Sequence, residues 1–232
     1  MMTNATELQL NVSTDIGQVS ALLVRPPDAW AVYVLAHGAG AGMRHRFLES
    51  VSAALADRGI ATFRYQFPYM EAGRRRPDPP SVAQATVRRA IEKAAEAVPG
   101  LPLVAGGKSF GGRMTSTAAA DSPLPGVRGL VFLGFPLHPP GQPGTSRSDH
   151  LDRVDIPLLF IQGTRDQFAR LDLITDVTEG LEPNATLHLV DDGDHSFGVP
   201  KRSGRTAAEV LSEITSAIDQ WSRAVVAGPV RA

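Results

Sequence analysis

The chain contains no cysteine in its 232 residues. Disulfides, a thiolate nucleophile and cysteine-ligated zinc are therefore excluded. It also lacks an excess of either charge: 23 Lys and Arg face 24 Asp and Glu, a net charge of −1 at pH 7. That balance leaves no electrostatic footprint for nucleic acid or for an anionic membrane. No apolar run approaches the roughly 20 residues that cross a bilayer. The opening "MMTNATELQL" has no basic segment followed by an apolar one, so it does not read as a secretory leader. The histidines lack the H-x-H or H-E-x-x-H spacing of a metal site. "DDGDH" at 191–195 lacks the twelve-residue ligand rhythm of a calcium loop. No metal or cofactor is expected. No repeat, low-complexity segment or linker interrupts the chain, so residues 1–232 read as a single cytoplasmic domain.

What is present alternates. Residues 7–12 and 16–25 read as two strands joined by a turn, a hairpin signal. "AVYVLA" (31–36) is a short continuous apolar run, as in a strand buried on both faces. "HRFLESVSAALADRG" places Phe47, Leu48, Val51, Ala54 and Leu55 on one helical face and stops at Gly59. Further strands are expected at 60–65, 101–106, 127–134, 156–163 and 185–192, with helices at 81–98, 110–120 and 168–180. A final helix carries Ala207, Val210, Leu211, Ile214, Ala217, Ile218 and Trp221 at i, i+3, i+4, i+7 spacing. The tail after Val226 reads as frayed. A hairpin followed by β-α repeats predicts an α/β fold: a mostly parallel, doubly wound sheet of about 7–8 strands with helices on both faces.

One stretch, "LVAGGKSFGGR" (103–113), admits two readings. Its G-K-S letters suggest a phosphate-binding P-loop, but G-x-x-x-x-G-K-[ST] needs glycine at position 102, where Pro102 stands. Shifted by one, Gly107-Lys108-Ser109-Phe110-Gly111 spells G-x-S-x-G, the sharp strand-to-helix turn that exposes a nucleophilic serine. The expected strand and helix flank it. The glycines are needed because the residues two before and two after the nucleophile crowd one another. The following helix also points its N-terminal dipole at the site, which favours a developing negative charge.

Such a serine needs a base, and the base needs an orienting carboxylate. Asp166 follows a strand in "GTRD", and His195 follows the last strand in "DDGDHSF". Both fall just past the C-terminal ends of strands, the rim where open α/β sheets place their sites. The order Ser109, Asp166, His195 is that of an α/β-hydrolase. The plainer readings are a loop histidine bonded to Asp194 or Asp192, and a helix N-cap for Asp166. "HGAG" (37–40) offers a loop whose backbone N–H can face a substrate oxyanion, paired with the N–H of Phe110. Ala39 is the first choice for that donor and Gly40 the next, with Gly38 and Gly40 facing substrate and His37 pinning the loop. "GAGAGM" fails as a dinucleotide fingerprint, because Met43 occupies the third glycine position. In "MEAGRRRPD", Arg74 and Arg75 are candidates to bind a substrate carboxylate or phosphate. The alternative is a solvated basic loop paired with Glu71 and Asp78.

These motifs resemble the α/β-hydrolase superfamily and, more narrowly, its dienelactone-hydrolase-like branch. "FPYMEAGRRRPDPP", "GKSFGGR", "GFPLHPPG", "QGTRDQF" and "DGDHSF" look most like the Tex30/KANSL3-type hydrolase family, over about residues 17–222. The resemblance implies the fold and the positions of Ser109, Asp166 and His195. Dienelactone hydrolases carry cysteine where this chain has Ser109, so dienelactone itself is not implied. The insertion at 135–153 is too short for a cap domain, which predicts an open site and a small or exposed acyl group. The expectation is a serine hydrolase acting on a small-molecule ester or thioester, as a monomer or homodimer. Acyl transfer to another acceptor, or a non-catalytic interaction module, are the alternatives.

Overall fold

The computed structural model describes residues 5–228. One eight-stranded sheet organises them, in the order β1-β2-β4-β3-β5-β6-β7-β8. The strands are β1 (Thr6–Ser13), β2 (Gly17–Val24), β3 (Ala31–Ala36), β4 (Ile60–Tyr65), β5 (Leu103–Lys108), β6 (Val127–Leu133), β7 (Leu158–Gly163) and β8 (Ala185–Val190). β1 pairs antiparallel with β2, and β2 antiparallel with β4. Every later pairing is parallel.

The helices are α1 (Arg46–Ala56), α2 (Pro68–Glu71), α3 (Pro80–Ala97), α4 (Phe110–Asp121), α5 (Leu171–Gly180) and α6 (Ala207–Ala227). Their starts follow from local chemistry. Pro80 occupies the first turn of α3, where its missing N–H is not needed. Thr206 and Glu209 form a reciprocal capping box at α6. α6 continues one residue past Val226, and residues 229–232 of the tail lie outside the described residues.

Alternation along each buried strand divides the core in two. Tyr33, Leu35, Val104, Val131, Leu133, Leu159 and Ile161 meet Leu48, Val51 and Leu55 of α1 and Val210, Ile214 and Ile218 of α6. Val32, Val34, Ala105, Phe132 and Phe160 face the other way, toward Val87 and Ile91 of α3, Met114 of α4 and Ile174 of α5. Central strands covered on both faces are why the sequence shows continuous apolar runs rather than alternation there.

Some boundaries differ from expectation for physical reasons. β5 reaches Lys108, two residues beyond the expected end, so the strand delivers the elbow directly. α5 starts at Leu171 rather than 168, because Asp166 and the following residues form a separate turn. The stretch between the expected strand at 60–65 and the expected helix at 81–98 contains the single turn α2, which Pro68 initiates. The 135–153 insertion is held down rather than raised as a cap. His138 Nε2 accepts the Arg170 N–H at 3.0 Å, and His150 lies 2.7 Å from the Ser116 hydroxyl of α4.

Candidate active site

β5 ends in the turn that carries Ser109, whose backbone lies at φ 49°, ψ −114°. A non-glycine residue there is strained, and the surrounding packing must hold it. The crowding that demands glycine comes mainly from the neighbouring strand. A Cβ on Gly107 would lie 2.3 Å from the Ala36 carbonyl oxygen, and one on Gly111 would lie 2.5 Å from that of His37. The mutual crowding expected is also present, since a Cβ on Gly112 would lie 2.7 Å from the Gly107 carbonyl oxygen; Gly107 and Gly111 in addition let the turn press against the end of β3.

Ser109 Oγ is 2.9 Å from His195 Nε2, and His195 Nδ1 is 2.7 Å from Asp166 Oδ2. A carboxylate oxygen at Nδ1 requires the proton on that nitrogen, leaving Nε2 free to accept from the serine. Asp166 is fully buried at its side chain, while the His195 side chain is 16% exposed. Asp166 Oδ2 also accepts from Gln162 Nε2 at 2.5 Å, and Oδ1 accepts from the Phe168 N–H at 2.7 Å. Gln162 Oε1 in turn accepts the Phe135 N–H at 2.9 Å. Gln162 was not singled out in the sequence; the available signal was an amide inside the apolar run "LLFIQG". Asp194 is occupied within its own loop, where Oδ1 accepts the N–H groups of Ser196 and Gly198. Asp166 does not cap α5, whose N-cap is Arg170.

The loop after β3 is fixed by His37. Its Nε2 accepts the Phe67 N–H at 3.0 Å, so its Nδ1 carries the proton and donates to the Gly38 carbonyl at 2.8 Å. Burial holds this imidazole down at about 4, against the weaker opposing effect of its bond to Gly38. Phe67 also packs edge-on against both His37 and Phe110, linking the loop to the start of α4. The Gly40 N–H is spent on the Tyr69 hydroxyl at 3.0 Å, and the Ala41 N–H on the Gly38 carbonyl. Among the described residues, no protein acceptor pairs with the N–H of Ala39 or of Phe110.

A cleft of about 290 Å³ opens over Ser109. Gly38, Ala39, Ala41, Phe47, Leu48, Lys108, Phe168 and His195 line it. Gly40, Arg74 and Arg75 are not among its lining residues. Arg74 is paired with Asp78 Oδ1 at 2.8 Å, and Asp78 Oδ2 accepts the Tyr69 N–H at 2.7 Å. Arg75 is exposed. Among the described residues no group of His, Asp and Glu is arranged to hold a metal, and no helix is long and apolar enough to cross a membrane.

A mostly parallel sheet with an antiparallel entry and a serine on a strained strand-to-helix turn defines the α/β-hydrolase fold. The chain belongs to the alpha/beta hydrolase domain family, which matches residues 29–223. Solved structures share the fold. XC6422 from Xanthomonas campestris, described as an a/b serine hydrolase without lid, is 23% identical at TM-score 0.72, with 95% of this chain and 96% of that one covered. A dienelactone hydrolase from Anabaena variabilis is 21% identical at TM-score 0.73, covering 95% and 98%. The esterase domain of a Rhodothermus marinus protein is 16% identical at TM-score 0.71, covering 95% and 98%. The absence of a cap over the site matches the short 135–153 insertion.

Proposed function

We propose that the chain is a serine hydrolase that cleaves carboxylic esters or thioesters with a small or exposed acyl group. The observation that carries this reading is the 2.9 Å approach of Ser109 Oγ to His195 Nε2, with Asp166 behind it at 2.7 Å. Ser109 attacks the carbonyl carbon as His195 takes its proton. Asp166 holds the imidazole in the required tautomer and stabilises the imidazolium. The N–H groups of Ala39 and Phe110 receive the oxyanion, a role supported by their lack of protein acceptors. His195 then protonates the leaving alkoxide or thiolate, and water repeats the cycle to release the acid.

The cleft sits at the lower end of the roughly 300–1,000 Å³ typical of small-molecule sites, which supports a small acyl group. A longer group would run past Phe47 and Ser196 into a groove of about 590 Å³ between α1 and α6. Affinity to the Tex30/KANSL3-type branch and a monomeric or homodimeric state belong to the same proposal. A fluorophosphonate probe tests it. Stoichiometric labelling that disappears in Ser109→Ala, with a loss of about 10⁴–10⁶ in kcat on the best substrate of a p-nitrophenyl ester and thioester panel, is expected. Folded wild-type protein that takes no label points instead to a non-catalytic module. Label with no hydrolysis points to transfer onto another acceptor.

A further inference from the structure

Lys108 is the residue immediately before the nucleophile, yet acyl transfer assigns it no role. Its stem runs beneath the loop after β3, where a Cβ on Gly38 would meet Lys108 Cγ at 3.4 Å. Its ammonium crosses the end of β6 at Gly134 and donates to the backbone carbonyl of His195 at 2.6 Å. Only a missing side chain leaves room for this. A Cβ on Gly134 would lie 2.9 Å from Lys108 Nζ, 3.2 Å from His195 O and 3.4 Å from His195 Nδ1. The ring of Phe197, at φ 62°, covers the ammonium at 5.7 Å and is itself stacked on Phe47. Among the described residues no carboxylate forms an ion pair with Lys108.

We propose that Lys108 is a positioning residue: its ammonium ties the backbone of His195 to the nucleophile strand and so keeps His195 Nε2 in line with Ser109 Oγ. This rests on the serine-hydrolase reading above. His195 sits on a loop after β8, at the far side of β6 and β7 from β5. Its ring is oriented by Asp166, but its main chain is joined to β5 through Lys108. Misplacing a reacting group by about 1 Å costs on the order of 10²-fold in rate. A charge-assisted donor holds a carbonyl about twice as strongly as a neutral one.

The charge on this strap is titratable within the assay range. Burial pulls the Lys108 ammonium down to about 8, although the carboxylates of Asp166 and Asp194 oppose the shift. Those two, with His195 itself, are the titratable groups facing it from the loops after β7 and β8. The segments after β3 and β6 approach it with Gly38 and Gly134, and His45, just before α1, lines the same cleft as Lys108. Losing the proton leaves the bond to His195 without charge assistance.

The test compares wild type with Lys108→Met, which keeps the stem and removes the donor, and with Lys108→Arg, which keeps a donor that stays charged. Expected for Lys108→Met is a kcat lower by about 10–100-fold at pH 7, with KM changed less than about threefold. The wild-type kcat should decline through pH 8 and that limb should be missing from Lys108→Met. Lys108→Arg should recover most of the kcat and remain flat to higher pH. Lys108→Met protein that is folded, labels at Ser109, and retains a kcat within about twofold of wild type with an unchanged pH profile overturns the proposal. Should Lys108→Met not fold, an Arg variant with the wild-type limb still at pH 8 overturns it equally. Wild-type protein that is folded but neither labels nor hydrolyses any substrate overturns the hydrolase reading and this one together.

Discussion

Acid should loosen the loop that presents the Ala39 N–H, and His37 supplies the magnitude. Its imidazole is fully buried, accepts the Phe67 N–H and donates to the Gly38 carbonyl. Its folded-state value of about 4 lies below the ordinary histidine value of 6.5 that the unfolded chain would show. The unfolded state therefore takes up a proton first. Stability from this group is complete above pH 6.5 and is lost as pH falls toward 4. The full difference is about 3 kcal/mol, and about 2 kcal/mol of it is gone by pH 5. In a chain of this size that corresponds to a Tm lower by about 4–8 °C. Other groups also titrate in this range, so the measurement is a difference. Urea unfolding of wild type and His37→Gln at pH 7.5 and pH 5 should show the stability gap narrowing by about 2 kcal/mol. A gap constant to within about 0.5 kcal/mol refutes the argument, since ±0.5 is the usual scatter of such comparisons. Direct titration by NMR is a second check: a His37 value near 6.5 would be incompatible with a buried neutral acceptor.

Two further substitutions probe the groups around the site. Gln162→Leu removes the donor to Asp166 and leaves the buried Phe135 N–H unpaired. It should cost about 1–3 kcal/mol in urea unfolding and about tenfold in kcat, and unchanged values for both would count against an orienting role. Tyr69→Phe frees the Gly40 N–H and removes one of the anchors of the loop after β3. A loss of about 1 kcal/mol of transition-state stabilisation, roughly fivefold in kcat/KM, is expected; an unaltered kcat/KM would show that the loop is held without the Tyr69 hydroxyl.

Much of the architecture was legible because it is written in short-range patterns. The turn between the strand-like segments 7–12 and 16–25 gave away the β1–β2 hairpin. The run "AVYVLA" marked a strand covered on both faces, "IPLLFIQG" marked a further strand, and the stripe Val210, Ile214, Ile218 marked a core-facing helix, which the structure packs on the α1 side. That Ser109, Asp166 and His195 meet in one hydrogen-bonded chain was expected from their order and their positions after strand ends. Groups recruited across the sheet were not. Gln162 reaches both Asp166 and Phe135, with only an amide inside an apolar run to mark it; Tyr69 reaches Gly40 and Lys108 reaches His195 with no sequence signature. The placement of β4 between β2 and β3 is likewise absent from local pattern. Arg74 was ambiguous for a different reason. A basic cluster looks the same in sequence whether it faces a ligand or Asp78, and the structure shows the ion pair with Asp78.

The sequence by itself determined which chemical groups exist, the order in which they are supplied, and the turns and strand ends that carry them, because backbone preference and side-chain periodicity act over a few residues. Tertiary structure alone decided which of those groups meet. Ser109 and His195 are 86 residues apart along the chain, yet they stand within a hydrogen bond. No local preference spans that separation. The meeting is set by the side-by-side pairing of β5, β6, β7 and β8, and by the two apolar layers that hold the sheet closed on both faces.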